Sequence, residues 1–433
     1  MAEKSATVEQ MLAMMQHAGG KVPPVRADPE PRERRHLIVS VDDHFMEPAH
    51  VFEGRLPARF AERAPRVIDG EGGAQFWDYD GELLPVSGTD AVASWDENLP
   101  WTGPLRYEQV RRGAWDVTER LRDMDRGGIY ASLNFPSMLM GFAGQRFMRM
   151  KDHELGHAAM RAYNDWIVED WCATDPDRLI PCQVTWLPDA ELAAAEIRRN
   201  AERGFKAVAF TENPEKLGLP SIHSGRWDPL FAACEETGTV INLHIGSSSS
   251  TIQPSSDSPL EVLGNLMPVN ALISVFDWFY SPIPDRYPKL QIAMSESGIG
   301  WVPWALDQIA FRGGKRPGTR PDLGRGTKAG RDPEEVFQEM FWFTSFYDPR
   351  GFSSLHLMNA DHIMLEVDYP HSDTNWPDTN ELVDLVVGDQ PAEVVAKVTH
   401  RNACALYRHP LPPADFVERF DRAAETAAAG AAP

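Results

Sequence analysis

Cysteine is scarce in this chain. Four occur among 433 residues (Cys172, Cys182, Cys234 and Cys404), far apart and with no Cys-x-x-Cys pair. That excludes a disulfide framework and a thiolate zinc knuckle, and it predicts reduced thiols, mostly in the core of a cytoplasmic protein. Basic residues are also short: 42 Lys and Arg stand against 64 Asp and Glu, a net charge of −22. A nucleic-acid surface and binding to an anionic membrane are both disfavoured by that balance. No apolar run of transmembrane length is expected, and the opening Met-Ala-Glu-Lys-Ser leads into no signal-type apolar stretch. There is no Gly-x-Ser-x-Gly nucleophile elbow.

What is present is a soluble globular composition, 42% hydrophobic and 24% charged, in which short β-like runs alternate with helical patterns. Strands are predicted over 36–42, 130–135, 179–186, 207–211, 240–245, 290–295, 342–346 and 363–367. Amphipathic stretches at 117–126, 153–173, 190–203, 228–237, 260–280, 302–311, 333–340 and 351–359 separate or follow them. The stretch 190–203 is the clearest, with Asp189 as its cap, Gly204 as its stop, and Leu192, Ile197 and alanines on one face. Eight strand-then-helix units predict an α/β fold of the (β/α)8 TIM-barrel type. A doubly wound sheet would carry a Gly-rich turn after its first strand, which Asp42-Asp-His-Phe-Met-Glu47 is not. Residues 1–35 are expected to form a peripheral arm with a Met-rich helix, and 36–410 the barrel. Residues 50–115, with Trp77, Trp95 and Trp101, are read as a lid or substrate insertion after strand one. Helices at 379–387 and 391–407 close the barrel, and 411–433 form a tail.

Three of the strands end in metal-capable side chains. Asp42 and His44 close the first, His244 the fifth, and Asp368 the eighth. Each alone has a bland reading as a cap or a core hydrogen bond. Together, at strand ends that share one barrel mouth, they form a mixed oxygen and imidazole set suited to one divalent cation, Zn2+ first and Mn2+ or Fe2+ after it. Glu47 is expected to orient His44. The serines at 247–250 and 255–258 read as a flexible loop at the mouth. Trp101, Phe135, Trp186, Trp301, Tyr369 and Trp376 hint at a flat or aromatic substrate, against core packing as the plainer explanation.

Four stretches in this order resemble the amidohydrolase-related family, which includes the aminocarboxymuconate semialdehyde decarboxylase type. They are Val41-Asp-Asp-His-Phe-Met-Glu-Pro48, Asn242-Leu-His-Ile-Gly246, Glu296-Ser-Gly-Ile-Gly-Trp-Val-Pro303 and Val367-Asp-Tyr-Pro-His371, within about 36–410. The resemblance implies a metal-dependent barrel enzyme, a homodimer, with Asp42, His44 and His244 as ligands and Asp368 as shared ligand and acid/base. Binuclear relatives end strand four in a carboxylated lysine. Here Lys206 lies at the wrong end of that strand, so one metal is implied. Family decarboxylases carry a histidine after strand six, and alignment puts Ser297 there, after Glu296. Glu296 is therefore a candidate second acid/base, or an anchor of the next helix, and His371 a candidate catalytic or substrate-binding group.

The resulting expectation is a mononuclear metal-dependent hydrolase of a small aromatic or carboxylated molecule, using metal-activated water with Asp368 as acid/base. The alternative is a non-oxidative decarboxylase of the same family, and a third reading is a non-catalytic metal-binding barrel.

Overall fold

The computed structural model describes residues 27–30, 34–70, 74–86, 91–93, 106–137, 140–250, 252–255, 257–312, 330–413 and 415–416. The Met-rich helix of the arm, Trp95, Trp101 and most of the tail lie outside the described residues. The first strand, β1, is Ile38–His44. A small antiparallel sheet follows it: β2 (Arg66–Asp69), β3 (Gln75–Tyr79) and β4 (Glu82–Pro85). The remaining strands are β5 (Ile129–Phe135), β6 (Leu179–Ile180), β7 (Cys182–Val184), β8 (Ala207–Thr211), β9 (Val240–His244), β10 (Ile292–Ser295), β11 (Phe341–Ser345) and β12 (Ile363–Leu365).

Apart from the antiparallel sheet, all strand pairing among the described residues is parallel. One sheet runs β1-β5-β6 and the other β12-β11-β10-β9-β8-β7. They meet between Ile180 and Cys182, where Pro181 has no N–H to give a ladder. The other seam is crossed by backbone bonds from Asp368 N to Asp42 O (2.9 Å) and from His44 N to Tyr369 O (2.7 Å). Taking β6 and β7 as one interrupted strand, the order is that of a TIM barrel, with all eight predicted strands in place. Every residue of β5, β8, β9 and β11 is buried, as expected of parallel strands covered on both faces.

The barrel interior is filled by Val39, Val41, Leu133, Ala207, Ala209, Val240, Ala293 and Met364. The C-terminal segment seals one end of it. Ala403, Cys404 and Tyr407 join this inner cluster, and Tyr407 Oη donates to Asn242 Oδ1 at 2.6 Å. All four cysteines are free and buried.

Most helices fall as predicted. In Ala190–Glu202, Asp189 accepts from Glu191 N and Leu192 N. Leu192 is a correction: it lies outward at 42% exposure, while Ala193, Ala194 and Ile197 are buried. The stretch 351–359 is a short helix, Pro349–Ser353, followed by a single 3-10 turn, Leu355–Leu357. The expectation of no long apolar segment also needs correcting. Glu261–Phe279, within the helix Leu260–Phe279, is 19 residues long with mean hydropathy 1.3, enough by length and composition alone to cross a membrane. It packs on the barrel through Ala271, Val275, Phe276, Trp278 and Phe279, and Ile273 stands exposed on its outer side.

The 50–115 insertion contains the antiparallel sheet, which the spacing of its residues did not predict. Trp77 and Tyr79 of β3 are fully buried with Phe52 and Phe147, and Tyr79 Oη contacts Met140 Sδ at 2.6 Å. The sheet therefore packs directly on the loop that follows β5.

Candidate active site

The register between β1 and β5 slips between Ser40 and Asp43. Side chains alternate along a strand, so a slip re-aims those beyond it. Asp43 turns aside to accept from Ser40 Oγ (2.9 Å), Ser132 Oγ and Tyr369 N (3.1 Å). Asp42 and His44 face one point together with His244, the last residue of β9. Two more carboxylates arrive on unusual backbone. Glu296 directly follows β10 with φ +53°, and Asp368 lies beyond β12 with φ +59°. Left-handed backbone at a residue other than glycine costs roughly 1–3 kcal/mol and gathers at functional sites.

His44 Nε2 and His244 Nε2 are 3.1 Å apart. Asp42 Oδ1 lies 3.3 Å from the first and 3.6 Å from the second. Asp368 Oδ1 is 3.5 Å from His44 Nε2 and 2.8 Å from His371 Nδ1. Glu296 Oε1 is 3.7 Å from both His244 Nε2 and His371 Nδ1. The candidate ligand atoms form two groups that share His44: Asp42, His44 and His244 in one, and His44, Glu296, Asp368 and His371 in the other, each within 4.8 Å.

The far nitrogens of the two facing imidazoles fix their protonation. His44 Nδ1 meets Pro136 O at 3.1 Å, and His244 Nδ1 meets Ile245 O at 2.6 Å. A carbonyl only accepts, so each Nδ1 carries the hydrogen and each neutral ring turns a bare lone pair inward. Burial is the main cause holding both rings below the usual histidine range. Two lone pairs 3.1 Å apart repel unless a cation lies between them. Both Asp42 oxygens are buried and have no hydrogen-bond partner among the described residues. A divalent cation satisfies both anomalies at once, so the donor set fits one.

The charge balance agrees. Burial pushes Asp42 well above the carboxylate range, and Glu296, Glu366, Asp368 and Asp43 reinforce it. Burial likewise raises Asp43 to about 6, against Arg120 and its hydrogen bonds, and Glu366 to about 8. It also raises Asp368, with Glu296 adding to the shift and His371 opposing it. Burial alone would lower His371, but the Asp368 carboxylate carries it well above its ordinary value. Glu296 goes the other way: burial works against it, yet His244 and His371 hold it at about 2.

Neighbouring residues hold this arrangement. Glu47 accepts from Ser137 N (3.0 Å) and Oγ (2.5 Å), next to the Pro136 carbonyl that meets His44 Nδ1. Arg120, fully buried, donates to the His44 carbonyl and to Gly113 O (2.7 Å) and lies over the Tyr369 ring. Glu366 accepts from Glu296 N (3.1 Å) and Thr344 Oγ1.

Four expectations change. Ser297 does not face the site; its hydroxyl points to Gly298 O (3.0 Å) and Thr344 O (3.2 Å), and Glu296 stands there instead. Glu296 does not anchor the following helix, whose approach is held by Asp348 Oδ2 accepting from Ile299 N (2.9 Å) and Gly300 N (2.6 Å). Ser247 and Ser248, the first two serines after β9, are pinned rather than free. Ser247 Oγ accepts from Glu212 N (3.0 Å), Ser248 Oγ donates to Glu212 Oε1 (2.6 Å), and Gln145 Nε2 donates to Ser247 O (2.6 Å). Finally, the rings beside the histidines are Phe135, predicted, and Phe142, missed. Phe142 lies 4.0 Å from His244 and 4.9 Å from His44 between centroids. Tyr369 and Trp376 are core residues tied to Asp123.

The structure is similar to a crystallised amidohydrolase from Mycobacterium avium subsp. paratuberculosis K-10, at 18% identity and TM-score 0.66, over 86% of this chain and 99% of that one. It is also similar to a dihydroxybenzoic acid decarboxylase from Polaromonas sp. JS666, solved with manganese and the inhibitor 2-nitroresorcinol (16% identity, TM-score 0.55, 86% and 97% covered). A third is the 5-carboxyvanillate decarboxylase of Sphingomonas paucimobilis (19%, 0.55, 87% and 100%). At these identities the likeness is one of fold. Among curated proteins none matches the chain. The amidohydrolase family model matches residues 44–409, and with that extent the chain belongs to the amidohydrolase family.

Proposed function

We propose that this chain is a mononuclear metal-dependent, non-oxidative decarboxylase of a small aromatic carboxylate. The observation that carries the reading is the Asp368–His371 contact of 2.8 Å, beside the facing lone pairs of His44 and His244. Decarboxylation needs a proton delivered to the carbon that loses CO2, and this pair keeps a proton in a buried place. The decarboxylases among the similar folds support the same reading. The ground for hydrolysis is the histidine missing at Ser297; Ser297 is turned away from the site, and the imidazole of His371 stands beside Glu296 and Asp368 instead.

Asp42, His44, His244 and Asp368 would hold the cation, and Glu296 and His371 stand close enough to share it. Two carboxylates in that set, together with the manganese of the Polaromonas enzyme, favour Mn2+ over the Zn2+ first expected. When bound, the cation supplies positive charge that holds a substrate oxygen and draws electron density from the ring. Phe142 and Phe135 give the ring an apolar wall. As the bond to the carboxylate breaks, its electron pair stays on the ring carbon, CO2 leaves, and Asp368, fed by His371, gives that carbon a proton.

Hydrolysis remains a second reading because Glu296 is held ionised and can act as a base towards water. Incubating the Mn2+-loaded protein with a panel of hydroxybenzoates in D2O separates the two. Release of CO2 with one deuterium at the vacated carbon is the expected result. Turnover only of esters, amides or lactones, with oxygen from water in the product, would overturn it.

A further inference from the structure

A cleft of about 180 Å³ opens beside the candidate metal centre, lined by Met140, Gly141, Phe142, Arg146, Arg149 and Ser249, with Gln145 and Gly246. Phe142 borders both the cleft and the histidines: its ring lines the cleft and lies 4.0 Å from the His244 ring. Two guanidiniums therefore flank a space one aromatic ring away from the candidate ligands.

The two arginines are not equivalent. Arg146 is mostly buried and paired with Glu82 of β4 at 3.0 Å. Arg149, exposed at the rim, donates to Ser249 Oγ at 3.2 Å, and it makes no salt bridge among the described residues. Partial burial, and then Arg146, hold its guanidinium below its ordinary value, with the Glu82 carboxylate working the other way. The walls are fixed. Gln145 ties the β5 loop to Ser247 O, and Ser247 and Ser248 are tied to Glu212. A preformed cleft with an unpaired guanidinium suits a carboxylate, which takes two parallel N–H donors.

We infer that this cleft is a carboxylate subsite, in which Arg149, flanked by Arg146, binds a second carboxylate of the substrate while the reacting carboxylate lies at the metal. The substrate class is then an aromatic dicarboxylate, and Arg149 is its specificity residue. This rests on the decarboxylase reading for what happens at the metal, but the binding step stands without it.

The test is calorimetric binding of benzoate and of the three benzenedicarboxylates to the full chain with Mn2+, in the wild type, Arg149→Met and Arg149→Lys. In the wild type at least one dicarboxylate should bind about ten-fold more tightly than benzoate, equivalent to about 1.4 kcal/mol. Arg149→Met should abolish that preference and leave benzoate unchanged, and Arg149→Lys should keep part of it. Circular dichroism confirms that the variants fold. A wild type with no dicarboxylate preference, or a preference that survives Arg149→Met, overturns the subsite. Metal content and CO2 release on the same samples report separately on the metal centre and the reaction.

Discussion

His44 Nε2 faces His244 Nε2 at 3.1 Å, while the opposite nitrogen of each ring is tied to a backbone carbonyl. Neither ring can turn to offer its hydrogen without breaking its carbonyl contact. The pair is thus a preset two-nitrogen grip, closed on a third side by the unpartnered Asp42 carboxylate. The catalytic proposal builds outward from that relationship, with the Asp368–His371 pair as the source of the proton.

Asp368→Asn should retain metal, with weaker affinity, and lose most turnover. The amide still presents an oxygen but cannot carry the proton, so kcat should fall by about 10²–10⁴. Steady-state kinetics at saturating metal check this. Turnover within a few-fold of wild type would assign the proton to another group.

Arg120→Met should destabilise the fold by about 3 kcal/mol. It strips the donors from the His44 and Gly113 carbonyls and leaves Asp43 without the guanidinium that offsets its burial. Metal affinity should fall as well, because β1 ends at His44. Denaturant unfolding and a metal titration read the two effects separately, and Arg120→Lys should restore part of each.

Glu212 gives a pH prediction away from the ligands. Burial raises its carboxyl from 4.5 to about 7, against hydrogen bonds from Ser248 and Gly246. The folded state holds this proton more tightly than the unfolded chain does. The resulting stabilisation is full below about pH 4.5 and is lost as pH rises through about 7, by up to about 3 kcal/mol. Glu212→Gln removes that dependence. Unfolding free energies of wild type and variant at pH 4.5 and pH 8 should therefore converge or cross in favour of the variant as pH rises. Parallel curves would show that Glu212 does not titrate in this window.

Much of this molecule was legible in its residues. Buried parallel strands leave apolar runs such as Val240-Ile-Asn-Leu, and a polar residue ending one is conspicuous, which is how Asp42, His44, His244 and Asp368 stood out. Four residues at strand ends converge because a barrel has one mouth. What was hidden depended on backbone detail. The left-handed turn at Glu296 decides whether Glu296 or Ser297 enters the site, and spacing carries no trace of it. Phe142 sits in a loop whose path over His244 is set by packing against the insertion sheet. That sheet was missed because the segment reads as Trp residues among Gly and Pro breaks, with little periodicity. Leu192 was placed on the inner face because an alanine-rich helix leaves the boundary of its apolar face poorly defined.

The most direct test of the central claim is metal content per chain, measured by elemental analysis after the protein is equilibrated with Mn2+ and freed of excess. Wild type should hold one ion per chain, and His244→Ala, folded by circular dichroism, should hold none, since it loses one nitrogen of the grip. A wild type that binds no ion or two, or a His244→Ala variant that still holds one, would contradict a single metal held between His44 and His244.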